Sequence, residues 1–312
     1  MRSAAMTNKY TFCHTRKLYG TARGGRWHSF ISGYLFLLPA FATFTTFMLI
    51  PIINGLFMSL QRFNGKSFIW VGLTNYAKIF TDDMFMNAIK ITVTYAVETV
   101  LFGLLASLLT SFLIEPLPER LHKFFRGAFY LPGVAPGVVM AVVWNWLYDS
   151  NFGLINYLAG MAGIPKIFWL SDPKIALFAL ILMQLIIGQG PSILIILAAL
   201  GSISREICES AKIDGANKWI EIVHIKIPMI KPTILYIVVV QTIIAFQAFT
   251  PMYLMTSGGP NGATTTMGYL IYSTAFTRFD FGVASAQAVV LMGIISIIAV
   301  IQFKLLSKDV EG

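Results

Sequence analysis

Charged residues are scarce in this chain of 312 residues: Asp, Glu, Lys and Arg make up 12% of it, against 56% hydrophobic residues. The mean hydropathy is +0.72. A soluble core of this length would not need so much apolar surface. The composition therefore predicts a membrane protein that crosses the bilayer several times.

Cysteine is also rare. The chain has two cysteines, Cys13 and Cys208, and their spacing matches neither a disulfide framework nor a metal site. Both fall on the side of the membrane that is predicted below to be cytoplasmic. We therefore expect two free thiols.

A catalytic constellation cannot be recognised in the sequence. A membrane-embedded enzyme would need a nucleophile with a base or a metal cluster, and the four histidines lie outside the apolar segments without ligand spacing: His14, His28, His122 and His224. A glycine-rich phosphate loop of the Walker type is also missing. The chain is therefore not predicted to be an enzyme, to hold a metal or to hydrolyse ATP.

A stand-alone ion- or proton-coupled carrier is a further class to consider. Such a carrier should show internal repeats and paired charges within its spans, and neither is found. Glu98 is the only acid well inside an apolar segment. Without a matching base or acid relay, we favour a structural acid near a helix end or a partner subunit over a proton-coupling residue.

Long apolar segments are what the sequence has in abundance. Six are long enough to cross a bilayer: near Phe30 to Phe57, Ala88 to Leu113, Gly127 to Leu147, Ile175 to Leu200, Thr233 to Met255 and Val283 to Phe303. The predicted fold class is an all-α membrane protein with six transmembrane helices. We assign residues 1–29 to a basic amino-terminal segment, 30–304 to one transmembrane domain and 305–312 to a tail.

The distribution of Lys and Arg predicts the orientation. With the amino terminus inside, 16 of the 23 basic residues lie on the inner side, as the positive-inside rule requires. Both termini and the loop at residues 201–231 are then cytoplasmic. The six basic residues of the amino-terminal segment hold that end inside; an interaction with anionic lipid is the alternative.

A polar stretch from Gly201 to Lys231 interrupts the apolar segments and must fold outside the bilayer, because its charges are costly in hydrocarbon. Its spacing predicts two short helices with three ion pairs: Arg205 with Glu209, Glu209 with Lys212, and Lys218 with Glu221. Asp214-Gly215 predicts the left-handed turn between them, with Asp214 as cap of the second helix. Pro228 and Pro232 close the loop and restart a helix.

This stretch resembles the EAA loop of ATP-binding cassette importer permeases. The resemblance rests on Glu209, Ala211, Asp214, Gly215 and Ala216, and then on Ile225, Ile227 and Pro228, with nine residues between Gly215 and Ile225. Ser210 and Ile227 depart from the usual alanine and leucine. Further segments resemble the maltose-type carbohydrate and glycerol-3-phosphate branch, and there the first permease of the pair: Gly72-Leu73, Asn75-Tyr76, Leu131-Pro132, Thr256 to Pro260, Thr264 to Thr266, Tyr272 and Ala275-Phe276. The resemblance covers about Gly33 to Lys304.

The resemblance implies a mechanism and a set of partners. In this family the EAA helix docks in a groove of a cytoplasmic ATPase homodimer, which supplies ATP and Mg²⁺ chemistry that this chain lacks. A second homologous permease and an extracytoplasmic solute-binding protein complete the importer in the bacterial inner membrane. Glu209 would contact the ATPase or pair within the loop, Ala211 and Ala216 would allow close approach, and Gly215 would set the turn.

The substrate path is predicted from polar residues within the apolar segments: Glu98, Asn145, Gln184, Gln189, Gln241 and Gln247. Each could equally form an interhelical hydrogen bond. Sugars need hydroxyl or amide partners and aromatic faces, so Asn145 with Trp144 and Trp146, and Gln247 with Phe246 and Phe249, are candidate contacts. Gly188 to Pro191 is expected to break the fourth span, either to line a cavity or as a packing kink.

Carbohydrate is the leading substrate class. Glycerol-3-phosphate or a polyol phosphate is the alternative, but a phosphate would favour a basic cavity and the spans contain almost no Lys or Arg. The outer segments Gln61 to Asn87, Tyr148 to Asp172 and Ser257 to Gly282 are either docking surfaces for the binding protein or simple connections.

Overall fold

The computed structural model describes the backbone of residues 23–307 and the side chains of residues 34–305. Most of the predicted amino-terminal segment, Cys13 and most of the tail lie outside this range. The chain divides into two units at Asn54.

The described part of the first unit is a long helix. Helix α1 runs over Arg23–Phe44, passes through a π-helical turn at Thr45–Leu49, and continues as α2, Ile50–Ser59, which reaches into the second unit. All the side chains described in this unit are exposed within the chain. A helix that is apolar on every side is typical of a membrane span.

The second unit is built on two long helices, α4 and α15. Its elements before and around α4 are a hairpin of β1, Gln61–Phe63, and β2, Phe68–Trp70, then α3, Thr74–Phe80, and α4, Asp83–Ile114. The next are α5, Glu119–Val134; α6, Gly137–Leu147; α7, Leu154–Met161; α8, Ala176–Ile187; and α9, Gly190–Gly201. Then follow α10, Arg205–Ile213; α11, Lys218–Ile220; α12, Ile227–Met229; α13, Lys231–Phe246; α14, Met267–Tyr272; and α15, Phe281–Ser307.

The described residues contain three helices that are long and apolar enough to cross a membrane, or up to six spans when each bent pair counts as one. The mostly helical character predicted from the sequence is confirmed, with the small β1–β2 hairpin as an unpredicted addition. The count of six spans stays a prediction.

Three of the predicted spans are bent. The bend is 44° between α8 and α9, where Gly188 and Gln189 were expected to break the helix. It is 94° between α5 and α6, so the segment near Gly127 to Leu147 is bent, and its crossing of the membrane stays a prediction. Ala135 is extended before Pro136, as steric clash with the proline ring favours, and Pro132 lies within α5.

The core lies where α4, α6, α8 and the last third of the chain meet. Its buried side chains include Phe85, Tyr95, Trp144, Leu180, Phe246 and Leu270. A smaller cluster of Ile196, Leu200, Ile230 and Ile237 joins α9 to the start of α13. These clusters fix the helices around the cavity described below.

Side-chain hydrogen bonds hold the connection between α13 and α14. Thr265 Oγ1 donates to the carbonyl of Gly258 at 2.8 Å, and Thr264 Oγ1 donates to that of Gly259 at 2.7 Å. Ser257, Gly258 and Gly262 have positive φ. The threonine run that follows Pro260 therefore stabilises this loop.

Candidate functional site

The polar stretch at residues 201–231 folds as two short helical segments joined by a tight turn, which we call the EAA-like loop. Gly215 has φ of +89° and its amide donates to the carbonyl of Lys212 at 3.1 Å, closing α10. This left-handed turn was predicted. The prediction that Asp214 caps the second helix is wrong, because Asn217 Oδ1 accepts from the amide of Ile220 at 2.9 Å. Pro228 and Pro232 lie in the first turns of α12 and α13, as expected.

Most residues of the EAA-like loop are exposed at the surface of the chain. Glu209, Ser210, Asp214 and Gly215 are exposed, as is Pro228, while Ala211, Ala216 and Ile225 are half-buried. Ile213 is 86% exposed and Trp219 is 71% exposed. Large apolar side chains beside small residues and charges are features of protein interfaces.

None of the three predicted ion pairs of this loop forms among the described residues. Lys226 instead lies between Glu221, at 3.0 Å, and Glu115, at 2.7 Å. Lys212 lies 3.9 Å from Glu221. The prediction followed the spacing on isolated helices, whereas the second segment turns Glu221 inward, where it is 7% exposed.

These charges perturb one another. Burial alone would raise the pKa of Glu221, but Lys226 and then Lys212 outweigh it, so the pKa lies below its usual range. Burial alone would lower the pKa of Lys226, but Glu115 and Glu221 together hold it above its usual range. Both groups therefore stay charged at neutral pH.

A polar cavity of about 200 Å³ lies between α4, the α8–α9 break and the end of α13. The lining side chains include Tyr95, Thr99, Gln184, Gln189, Gln241, Gln247 and Phe249, and none of the lining residues is charged. The structure thus brings together three of the five residues chosen for the substrate path.

Two of these glutamines also form interhelical hydrogen bonds. Gln189 Oε1 accepts from Ser107 Oγ of α4 at 2.8 Å, and Gln241 Nε2 donates to Ser192 Oγ of α9 at 3.1 Å. The two interpretations left open by the sequence are therefore compatible. The bonds fix the amides at the cavity wall.

The model of the family described as binding-protein-dependent transport system inner membrane component matches residues 100–312. The chain belongs to this family.

Relatives of this permease are named ABC transporter permeases. It is 34% identical to the probable ABC transporter permease YesP of Bacillus subtilis, over 88% of this chain and 90% of the relative. It is 31% identical to the lactose transport system permease LacF of Rhizobium radiobacter, over 88% and 93%. Identity is also 31% to the sn-glycerol-3-phosphate transport system permease UgpA of Salmonella typhimurium, over 89% and 95%.

A solved structure has the same fold. The permease superimposes on a chain from the crystal structure of a bacterial alginate ABC transporter in complex with an alginate pentasaccharide-bound periplasmic protein, with a TM-score of 0.79. The match covers 89% of this chain and 94% of that chain, at 23% identity.

The remaining two residues chosen for the substrate path lie elsewhere in the permease. Asn145 lines a second cavity of about 430 Å³ with Asp149 and Trp169, and Trp146 lines a third with Asn156. Trp144 is buried in the core. Adjacent residues on a helix point in different directions, so Asn145 and its two flanking tryptophans do not form one site.

An aromatic cluster adjoins the polar cavity of the permease. Phe249 stacks on Tyr253 with ring centroids 5.2 Å apart, and Tyr272 lies 5.0 Å from Phe249 and 5.3 Å from Phe276. Phe246, which was also a candidate, is buried in the core instead. Sequence reasoning missed Tyr253, although its spacing of four residues from Phe249 could have indicated it.

Glu98 is half-buried, and its carboxylate forms no hydrogen bond or ion pair within the part of the permease whose side chains are described. In the same part of the chain, no group of three His, Cys, Asp or Glu side chains could hold a metal ion.

Proposed function

We propose that this permease is the first transmembrane subunit of a binding-protein-dependent importer that carries a mono- or oligosaccharide into the cytoplasm. A second homologous permease, a cytoplasmic ATPase homodimer and an extracytoplasmic binding protein are its partners. The observation that carries this proposal is the exposed EAA-like loop, in which the apolar side chains of Ile213 and Trp219 and the charged Glu209 are all exposed. Closure of the ATPases would move this loop and open the cavity to the outer side.

The polar cavity favours a neutral substrate. Amide and hydroxyl groups match sugar hydroxyls, and the adjoining aromatic rings match the apolar faces of sugar rings. Because none of the lining residues is charged, a phosphate would lack a cationic partner in this subunit. Glycerol-3-phosphate or a polyol phosphate is the second candidate, since UgpA is among the relatives and the second permease could supply charge.

The test is ATP hydrolysis by the complete complex in lipid, with its binding protein and a panel of neutral sugars, acidic saccharides and glycerol-3-phosphate. We expect stimulation by one neutral sugar. Glu209→Ala and Gly215→Val should lose the stimulation. Valine at φ of +89° is strained by more than the roughly 1–2 kcal/mol of an ordinary left-handed residue.

Gly215→Asn is the matched control, because asparagine tolerates the left-handed conformation, and it should keep most of the stimulation. The absence of a co-purifying ATPase would contradict the importer, and so would stimulation of ATP hydrolysis that is the same in the wild type and in the loop variants. Stimulation by glycerol-3-phosphate alone would favour the second candidate.

A further inference from the structure

Lys226 holds together two acids that come from distant parts of the chain. Its ammonium Nζ donates to both carboxylate oxygens of Glu115, at 2.7 and 2.8 Å, and lies 3.0 Å from Glu221. The Lys226 side chain is 12% exposed. A charged group that is this far removed from water is held in one geometry by its partners.

The two acids belong to different parts of the fold. Glu115 directly follows α4, and its backbone carbonyl accepts a hydrogen bond of 2.9 Å from His122 Nε2 of α5. Glu221 belongs to the EAA-like loop and also faces Lys212 of α10. A continuous series of charges therefore runs from α10 to the end of α4.

Helix α4 connects this end to the polar cavity. It is one unbroken helix of 32 residues. Tyr95 and Thr99 line the cavity, and Ser107 holds Gln189 at its wall. A displacement of the end of α4 would therefore change the cavity.

We propose that Lys226 is a positioning residue that transmits movement of the EAA-like loop through Glu115 and α4 to the substrate cavity. This rests on the proposed importer function. A second ion pair near this end, Lys123 with Glu119, joins two exposed residues of α5.

The experiment compares Lys226→Met, Lys226→Arg and Glu115→Gln in the full complex in lipid. The readouts are assembly with the partners, ATP hydrolysis and the amount of substrate transported per ATP. Glu115→Gln keeps the pair of Lys226 with Glu221 and removes only the charge on the α4 side. Lys123→Met is the control, since it removes a lysine from an exposed pair.

We expect Lys226→Met and Glu115→Gln to assemble and hydrolyse ATP, with transport per ATP lowered about tenfold, within the usual range of coupling between sites. Lys226→Arg should keep transport per ATP at the wild-type level, because the guanidinium can contact two carboxylates, and Lys123→Met should match the wild type.

A wild-type ratio of transport to ATP hydrolysis in both Lys226→Met and Glu115→Gln would overturn the proposal. The proposal would also be overturned if Lys226→Met and Lys226→Arg both failed to assemble with the partners, since the charges would then serve folding alone. A wild-type complex that no substrate stimulates would instead overturn the proposed function.

Discussion

The Cys208 thiol offers a chemical probe of the charges beside it. It is half-buried on α10. Burial and then the negative charge of Glu221 raise the pKa of this thiol, and Lys226 opposes them only in part. Because the thiolate is the reactive form, Cys208 should react slowly with maleimides at neutral pH.

We expect Glu221→Gln to accelerate this reaction severalfold, because removal of the negative charge lowers the pKa of the thiol. The measurement is the rate of alkylation as a function of pH in a Cys13→Ser background. Glu206→Gln is the control, since Glu206 lies on the same helix but does not contribute to the shift. Fast alkylation of the wild type, or equal rates in the two variants, would contradict the environment described for Cys208.

At the scale of elements, the bend between α8 and α9 depends on the close approach of α9 to α5. A Cβ at Gly190 would lie 2.6 Å from the carbonyl oxygen of Phe129 and 2.9 Å from Cα of Tyr130. Both are backbone atoms, so the strain cannot be relieved by a change of rotamer. The two helices would have to move apart.

Gly190→Ala should therefore destabilise the permease by about 1–3 kcal/mol, as overpacking usually does. Thermal unfolding of the solubilised complex would detect it as a lower Tm. Gly127→Ala is the matched control on α5, where a Cβ meets nothing within 4 Å, and helix propensity predicts equal or slightly higher stability. Equal Tm values for Gly190→Ala and the wild type would contradict this account.

The elements that could be predicted from the sequence are those with local signals. Gly188 to Pro191 marks the bend between α8 and α9, and Gly215 marks the turn of the EAA-like loop. Glycine allows backbone conformations that other residues avoid, and proline restricts φ and lacks an amide proton, so both act where they stand. The pairing of Lys226 with Glu115 could not be predicted, since 111 residues separate them. The 94° bend before α6 was missed because the apolar run continues through Ala135 and Pro136.

The candidate cavity was predicted only in part, because its lining also depends on contacts between distant parts of the chain. Gln189, Gln241 and Gln247 are polar residues in apolar segments, and the helices bring them to one cavity. Asn145 and Trp146 have the same signal but face other cavities. A polar side chain in a span predicts that it avoids lipid, whereas the direction it faces depends on how the helices pack.

At the scale of the whole molecule, the open prediction is the topology of six spans. The bent pairs allow up to six, and 16 of 23 basic residues fall on the inner side if the amino terminus is cytoplasmic. The same assignment puts the EAA-like loop on the side where ATP is available. The orientation of each loop can be tested independently of transport.

Single cysteines placed in a background without Cys13 and Cys208 would report that orientation. We expect Lys66→Cys and Lys166→Cys, in the first and second outer segments, to react with a membrane-impermeant maleimide added to intact cells whose outer membrane has been made permeable. Lys123→Cys and Arg205→Cys should react only in inside-out vesicles, because they lie between spans two and three and between spans four and five. All four positions are exposed, so a lack of labelling reflects the membrane and not burial in this subunit. Labelling of Arg205→Cys from outside would show that the orientation is the reverse of the predicted one and that the EAA-like loop cannot reach a cytoplasmic ATPase. Labelling of Lys123→Cys and Lys166→Cys from the same side would mean that the bent pair α5–α6 turns back without crossing the membrane.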